Sequence, residues 1–283
     1  MTNDNPLFSV LIANYNNGRF LQEAIDSVLA QTYTNWEVVI VDDKSVDNSF
    51  EIYEKYKDDT RFHIYYNEKN EGCGYTKRRC AELATGEICG FLDPDDVLLV
   101  DALEKHVCKQ QERTDCSAVV SRYYFCDSSL NVIKESRLLK LSAEETYFTH
   151  KDYAPETFCS FKKAMYDKTE GIASDIKLGV DQDLYFKLEE IAPMCVLDAF
   201  TYKYRLHDKN ISQKPSNEAV YWNLIVRHRT CMRRGLDPSD YPVADFVAYS
   251  RNTYNEGADK VRQSQAYRLG KFFIKPFSWI KKH

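Results

Sequence analysis

Apolar runs alternate with amphipathic stretches along the first hundred residues. Phe8 to Ala13 is continuously apolar but for Ser9 and ends in the polar turn Asn14-Tyr15-Asn16-Asn17-Gly18. Leu21, Ala24, Ile25, Val28 and Leu29 then recur at helical spacing. Trp36 to Val41 predicts a second buried strand closed by Asp42-Asp43, and Asp47 or Asn48 is placed to cap a helix carrying Phe50, Tyr53 and Tyr56. Phe62 to Tyr66 predicts a third strand, Asn67 to Gly74 a loop, and Tyr75 to Ala84 a helix. Ile88 to Leu92 predicts a fourth strand, which empties into Asp93-Pro94-Asp95-Asp96. Alternating strands and helices with unbroken apolar strands predict a mostly parallel sheet covered on both faces. Ligands bind such sheets beyond the carboxyl ends of the strands. Asn14–Asn17, Asp42-Asp43 and Asp93–Asp96 all fall at that end.

Beyond the fourth strand the pattern predicts a helix from Asp101 to Arg113 with Leu103 and Val107 inward. A strand from Ala118 to Phe125 follows, and Asp127-Ser128-Ser129 turns the chain into Val132-Ile133. Residues 138–171 are irregular, a pattern that suits loops over an active site. Asp181 to Ile191 reads as an amphipathic helix, Met194–Leu197 and Tyr202–Leu206 as two strands, and 217–235 and 243–273 as helices broken at Asp237-Pro238. No internal repeat is present.

Composition narrows the class. With 283 residues, 43% of them apolar, the chain suits one large α/β domain or a catalytic domain with a helical extension. Nine cysteines, an odd number with no Cys-x-x-Cys pair, argue against a disulfide framework or a zinc knuckle and for a reducing compartment. The polar start and the lack of a long apolar run predict a cytosolic protein without a membrane span. Seven of the 38 Lys and Arg lie in 260–283 with no acid, so the 43 Asp and Glu leave the first 259 residues at −12. So acidic a body is a poor binder of nucleic acid, which is not expected as a partner.

Each polar cluster has a plain reading and a chemical one. Three carboxylates in Asp93–Asp96 repel one another; they can cap a following helix through Asp95 or Asp96, or gather a divalent cation beside a phosphate-bearing substrate. Asn14-Tyr15 is either a turn or a place where the Tyr ring stacks on a base. Asp42-Asp43 either caps a helix or meets a ribose hydroxyl or base N–H. Neither Gly-x-Gly-x-x-Gly nor a Gly-x-x-x-x-Gly-Lys loop is present, which weakens NAD and P-loop readings. Lys77-Arg78-Arg79 is a solvated helix face or a cation facing diphosphate oxygens. Asp181 and Asp183 favour a helix N-terminus whatever else they do; in a pocket, a carboxylate there can act as general base. His207 alone is more often a packing residue than a ligand.

These residues together carry a resemblance. Val10-Leu-Ile-Ala-Asn-Tyr-Asn, Leu29-Ala-Gln-Thr-Tyr and Trp36-Glu-Val-Val-Ile-Val-Asp-Asp-Lys-Ser-Val-Asp resemble the start of the family 2 glycosyltransferases, which have the GT-A fold. Ala84-Thr-Gly-Glu, Phe91-Leu-Asp-Pro-Asp-Asp, Asp181-Gln-Asp-Leu and Tyr204-Arg-Leu-His continue it in order. The resemblance is specific over 8–107, patchier over 155–212 and absent after about 215. It implies a Rossmann-like mixed, mainly parallel sheet with helices on both faces. The implied catalytic domain is 1–212, with a nucleotide-sugar half (1–115) and an acceptor half (116–212), followed by a helical extension over 213–283. It implies further that Ala13, Asn14 and Tyr15 contact uracil or another base, Asp43 the base or ribose, and Asp93 the ribose. Lys77 or Arg78 would meet the phosphates. Asp95, with His207, would ligate Mn²⁺ or Mg²⁺, with Asp96, Asp183 and Arg205 in support, and Asp181 would be the catalytic base. Val180 departs from the family here, standing where a Glu is usual. The implied reaction moves a sugar from a nucleoside-diphosphate donor, UDP foremost, to a glycan or lipid-linked acceptor.

Two other classes compete. A non-catalytic nucleotide-sugar or carbohydrate-binding protein would not need Asp181. A phospho-accepting receiver domain would share Val39-Ile-Val-Asp-Asp, but a complete strand and helix precede Asp42 and the chain is more than twice receiver length. The tail from Tyr267 to Lys282 mixes aromatic and basic residues, predicting a docked helix or a peripheral contact with the inner face of an anionic membrane.

Overall fold

A computed structural model of the protein describes residues 5–141, 145–150, 158–208, 217–238 and 240. The predicted helix over 243–273 and the basic tail lie outside the described residues. The chain divides into two compact units, Met1–Ile176 with Leu184–Lys209 and Lys177–Asp183 with Asn210–His283.

The first unit is built on a sheet whose strands lie in the order 62–66, 36–42, 8–14, 88–91, 159–162, 118–126, 194–205 and 97–98, with 132–135 beside 118–126. β1 (Phe8–Asn14), β2 (Trp36–Asp42), β3 (Phe62–Tyr66) and β4 (Ile88–Phe91) are mutually parallel. They are joined by α1 (Gly18–Leu29), α2 (Ser49–Tyr53) and α3 (Cys73–Leu83). β1 and β2 are buried almost throughout, which is why their sequences run apolar instead of alternating. Phe8, Val10 and Ile12 of β1 meet Leu21, Ala24, Ile25 and Val28 of α1 in the main core. Because β1 lies between β2 and β4, the turns that follow these three strands sit side by side at one edge of the sheet.

The opposite edge is locked by a buried carboxylate. Glu37 accepts Ser9 Oγ at 2.6 Å, Thr85 N at 2.7 Å and Thr85 Oγ1 at 2.7 Å, and pairs with His63 at 3.3 Å. Burial raises the Glu37 pKa, but the Ser9 and Thr85 hydrogen bonds and then His63 outweigh it and hold the carboxyl below its usual range. Gly86 donates to Ser9 Oγ, and a Cβ there would lie 2.5 Å from that oxygen and 2.6 Å from the Leu7 carbonyl. Ala84-Thr-Gly-Glu thus closes the end of the sheet remote from the acidic turns.

The second half of the sheet departs from the predicted pattern. β8 (Cys159–Lys162) and α5 (Lys163–Tyr166) lie within the stretch predicted as irregular. β8 runs antiparallel to both β4 and β6 and joins the two halves of the sheet. The two strands predicted after residue 194 are a single strand, β9 (Met194–Arg205), whose register against β6 (Ala118–Cys126) shifts around Arg122. β5 (Val97–Leu98) pairs with β9, and β7 (Val132–Glu135) forms the predicted hairpin with β6. α4 (Ala102–Glu112) starts after Asp101, so neither Asp95 nor Asp96 caps it. It buries His106, whose ring meets Ser160 Oγ at 2.8 Å and Ser121 Oγ at 3.1 Å. Cys116 and Cys195 are joined by one disulfide, their Cα atoms 5.9 Å apart.

α6 (Val180–Ile191) follows Gly179, whose φ of +74° suits a residue without Cβ. In the second unit α7 spans Asn217–Arg234, and Asn223 Nδ2 donates to Gln182 Oε1 at 2.5 Å. No helix among the described residues is long and apolar enough to cross a membrane.

Candidate active site

The turns after β1 and β2 are fastened to each other. Asp43 N donates to the Asn14 carbonyl at 2.8 Å, Asn16 N to Ser45 Oγ at 2.9 Å, Val46 N to Asn16 Oδ1 at 2.8 Å, and Gly18 N to Asp47 Oδ2 at 2.8 Å. Asn16 and Lys44 both adopt positive φ, 53° and 67°, which Asn tolerates more readily than Lys. The seam leaves Tyr15 exposed at 48% and Ala13 partly exposed.

The neighbouring polar residues separate into supports and displayed groups. The Asn14 side chain points inward, donating to Tyr53 Oη at 2.8 Å and Ser49 Oγ at 2.9 Å, and also lies 3.3 Å from Ser45 Oγ of the seam. Asp42 accepts Tyr53 O–H at 2.7 Å and Ser45 N at 2.7 Å from the same buried network. Asp43 is held differently: Oδ1 accepts Asn67 Nδ2 at 2.7 Å and Glu71 N at 2.8 Å, while Oδ2 accepts Gly72 N at 2.9 Å. Three N–H donors fix this carboxylate and leave lone-pair capacity on Oδ2.

The basic triplet on α3 divides its work. Lys77 is 5% exposed, and its Nζ lies 3.1 Å from Asp93 Oδ1. Arg78 turns to Glu82 at 2.7 Å and to the carbonyls of Glu170 and Ile172 at 3.2 and 3.1 Å. Arg79 donates to the Tyr66 carbonyl and Asn67 Oδ1. Of the three, Lys77 reaches the acidic turn.

Within that turn the three carboxylates have separate environments. Asp96 is 1% exposed; Oδ2 accepts Tyr202 O–H at 2.8 Å and Oδ1 accepts Arg205 N at 2.7 Å. Burial, then the charges of Asp95 and Asp93, push its carboxyl well above the ordinary range. Asp96 therefore pins the turn to the end of β9. Tyr202 O–H also accepts Asp93 N at 3.3 Å. Asp95 Oδ2 meets His207 Nε2 at 2.9 Å, and the His207 ring packs 4.9 Å from the Phe20 ring. Sequence and fold thus bring Asp95 and His207 together across more than a hundred residues.

A carboxylate beside an imidazole is a donor set that Mn²⁺ accepts. Among the described residues no cluster of three or more His, Cys, Asp or Glu is assembled to hold an ion. The pair fits a cation completed by diphosphate oxygens and water, the usual arrangement for ions bound with phosphate substrates.

Asp181 and Asp183 both stand in the first turn of α6, where the helix dipole favours acids. Asp183 is fully buried, with its backbone N–H on the Gly179 carbonyl at 3.1 Å. Farther along α6, Lys187 donates to the Gly171 carbonyl at 2.8 Å, and Glu189 accepts the backbone N–H groups of Tyr147 and Phe148.

Sequence reading missed Tyr202, Phe20 and Glu23. Tyr202 carried a signal only as an inward strand position two residues before Tyr204-Arg-Leu-His. Phe20 and Glu23 carried none beyond the helical pattern of α1.

The family model for Glycosyl transferase family 2 matches residues 9–169. The chain is 30% identical over 240 residues to a chondroitin synthase of Escherichia coli, covering 83% of this chain and 34% of that protein. It is 28% identical over 262 residues to a hyaluronan synthase of Pasteurella multocida, covering 90% and 26% respectively. The chain thus spans about a third or less of the length of these relatives. Among solved structures it resembles S. aureus TarS 1–349 in complex with UDP, with a TM-score of 0.67 at 21% identity over 88% of this chain and 73% of that one. It also resembles the mannosyltransferase PcManGT from Pyrobaculum calidifontis in complex with GDP-Man and Mn²⁺, with a TM-score of 0.61 at 15% identity over 98% and 81%. At these identities the structural likeness is one of fold.

Proposed function

Because the chain belongs to glycosyl transferase family 2, we propose that it is an inverting hexosyltransferase using a nucleoside-diphosphate sugar. The acceptor is a hydroxyl of a glycan or lipid-linked saccharide in cell-surface polysaccharide synthesis, a reading supported by relatives named as chondroitin and hyaluronan synthases. Residues 1–212 form the catalytic domain and 213–283 an extension.

The observation that carries the reading is the Asp95–His207 pair beside Lys77–Asp93. It lies on the sheet edge that also carries Tyr15 and Asp43. Tyr15 stacks on the base, and the backbone of Ala13 and Asn14 borders it. Asp43, an acceptor held by three N–H donors, takes a base N–H, which uracil or guanine provides. UDP is the preferred nucleotide, in keeping with the UDP-bound TarS structure. Asp93 binds the ribose, and Lys77 turns its ammonium to the diphosphate. Asp95 and His207 hold Mn²⁺ or Mg²⁺, which when bound neutralises charge on the diphosphate. The Mn²⁺ in the PcManGT structure supports this choice.

Asp181 is the general base, assigned on its sequence motif. It takes the acceptor O–H proton as that oxygen bonds to the anomeric carbon. The bond from that carbon to the diphosphate oxygen breaks, and its electron pair leaves with the nucleoside diphosphate. One displacement inverts the anomeric centre without a covalent enzyme intermediate, so the second carboxylate that glycosidases use is not required. A panel of nucleoside-diphosphate sugars, each with and without Mn²⁺, tests the reading by thermal protection of the protein. A Mn²⁺-dependent rise in melting temperature with one donor supports it; no rise with any donor overturns it.

A further inference from the structure

We infer that Arg205 is the positioning residue of the Asp95–His207 pair, an inference that rests on the proposed metal-diphosphate role of that pair. Arg205 ends β9 two residues before His207 and is only 1% exposed. Its guanidinium is distributed over three separate segments. Nε donates to the Asp95 carbonyl at 2.7 Å, Nη1 to the Ser128 carbonyl at 2.7 Å, and Nη2 to Glu23 Oε2 at 3.0 Å. The same residue's backbone N–H donates to Asp96 Oδ1 at 2.7 Å. The guanidinium also lies over the Phe20 ring, 4.5 Å from its centroid, and that ring packs 4.9 Å from the ring of His207.

One buried side chain therefore fixes the Asp95 peptide directly and the His207 ring through Phe20. A buried cation is costly unless its donors are used. Here the carboxylate of Glu23, on a half-exposed side chain, supplies opposite charge. Nε and Nη1 donate to backbone carbonyls, and these bonds set the course of the chain. A rigid fork of donors can hold three acceptors at fixed angles, which an ammonium on a flexible stem cannot. The residues that orient a ligand pair commonly change metal affinity about 10- to 100-fold when replaced.

The test measures Mn²⁺ binding in the presence of UDP by electron paramagnetic resonance, and UDP binding alone by calorimetry, for the full chain. Arg205→Lys keeps the charge and loses the fork. The expected result is Mn²⁺ affinity lowered about 10- to 100-fold, with UDP binding alone changed by less than about threefold. Unchanged Mn²⁺ affinity, or Mn²⁺ and UDP affinities falling together, overturns the inference. Should Arg205→Lys fail to fold, Glu23→Gln decides, because it loosens only Nη2 from a half-exposed partner. Mn²⁺ affinity lowered about threefold supports the inference, and an unchanged value overturns it. If the wild-type protein binds UDP but no Mn²⁺, the metal reading itself fails and the positioning role falls with it.

Discussion

Replacing Tyr202 with Phe isolates one oxygen at the centre of the site. The Tyr202 ring is fully buried and stacks on Phe158, with centroids 5.7 Å apart and planes 17° from parallel. Phe preserves that packing and removes only the hydroxyl. The lost groups are a donor to Asp96 Oδ2 at 2.8 Å and an acceptor for Asp93 N at 3.3 Å. Asp96 keeps the Arg205 backbone N–H on its other oxygen. Leaving a buried polar atom without its partner costs about 1–3 kcal/mol. For a chain of this size, about 2 kcal/mol corresponds to a melting midpoint about 4–8 °C lower. Scanning calorimetry of the two proteins at the same pH and salt checks this. A midpoint within about 1 °C of wild type would show that Tyr202 does not pin the acidic turn, and would refute the division of labour given to Asp93, Asp95 and Asp96.

Thr85→Ala removes one hydroxyl donor from Glu37, and it should cost about 1 kcal/mol at neutral pH in urea titrations. Because the folded Glu37 pKa is depressed, its contribution is complete above the ordinary value of 4.5 and is lost as pH falls through the folded value. The acid-unfolding midpoint of the variant should therefore move to higher pH, and an unmoved midpoint contradicts the assignment. Lys77→Ala should weaken donor binding about 10-fold or more. Arg78→Ala should instead lower the melting temperature with donor affinity kept within about threefold, because Arg78 is spent on Glu82 and the carbonyls of Glu170 and Ile172. Equal effects of the two on donor binding would refute that separation.

The parallel half of the sheet was legible because burial on both faces leaves a continuous apolar run bounded by turns. β1, β2, β3 and β4 fall where those runs do. β8 was not legible, since Cys159-Ser-Phe-Lys is too short to show a period and its burial comes from strands far away in sequence. The division of β9 into two predicted strands has a similar cause: Asp198 to Thr201 breaks the apolar run, yet a shifted register keeps it paired with β6. At the candidate site, the acidic turn, the cationic helix and His207 stood out in the sequence as candidates. What distinguishes Lys77 from Arg78, or Asp43 from Asp42, is the set of hydrogen bonds each makes across the fold. Neighbouring residues of one charge look alike in sequence until packing gives each its own partners.

The proposed transfer rests on Asp181, so nucleoside-diphosphate release from donor and acceptor by Asp181→Asn, measured beside wild type, tests it most directly. Loss of a general base should slow release about 10²- to 10⁴-fold, with donor affinity held within about threefold. Release at the wild-type rate by Asp181→Asn would contradict the assignment.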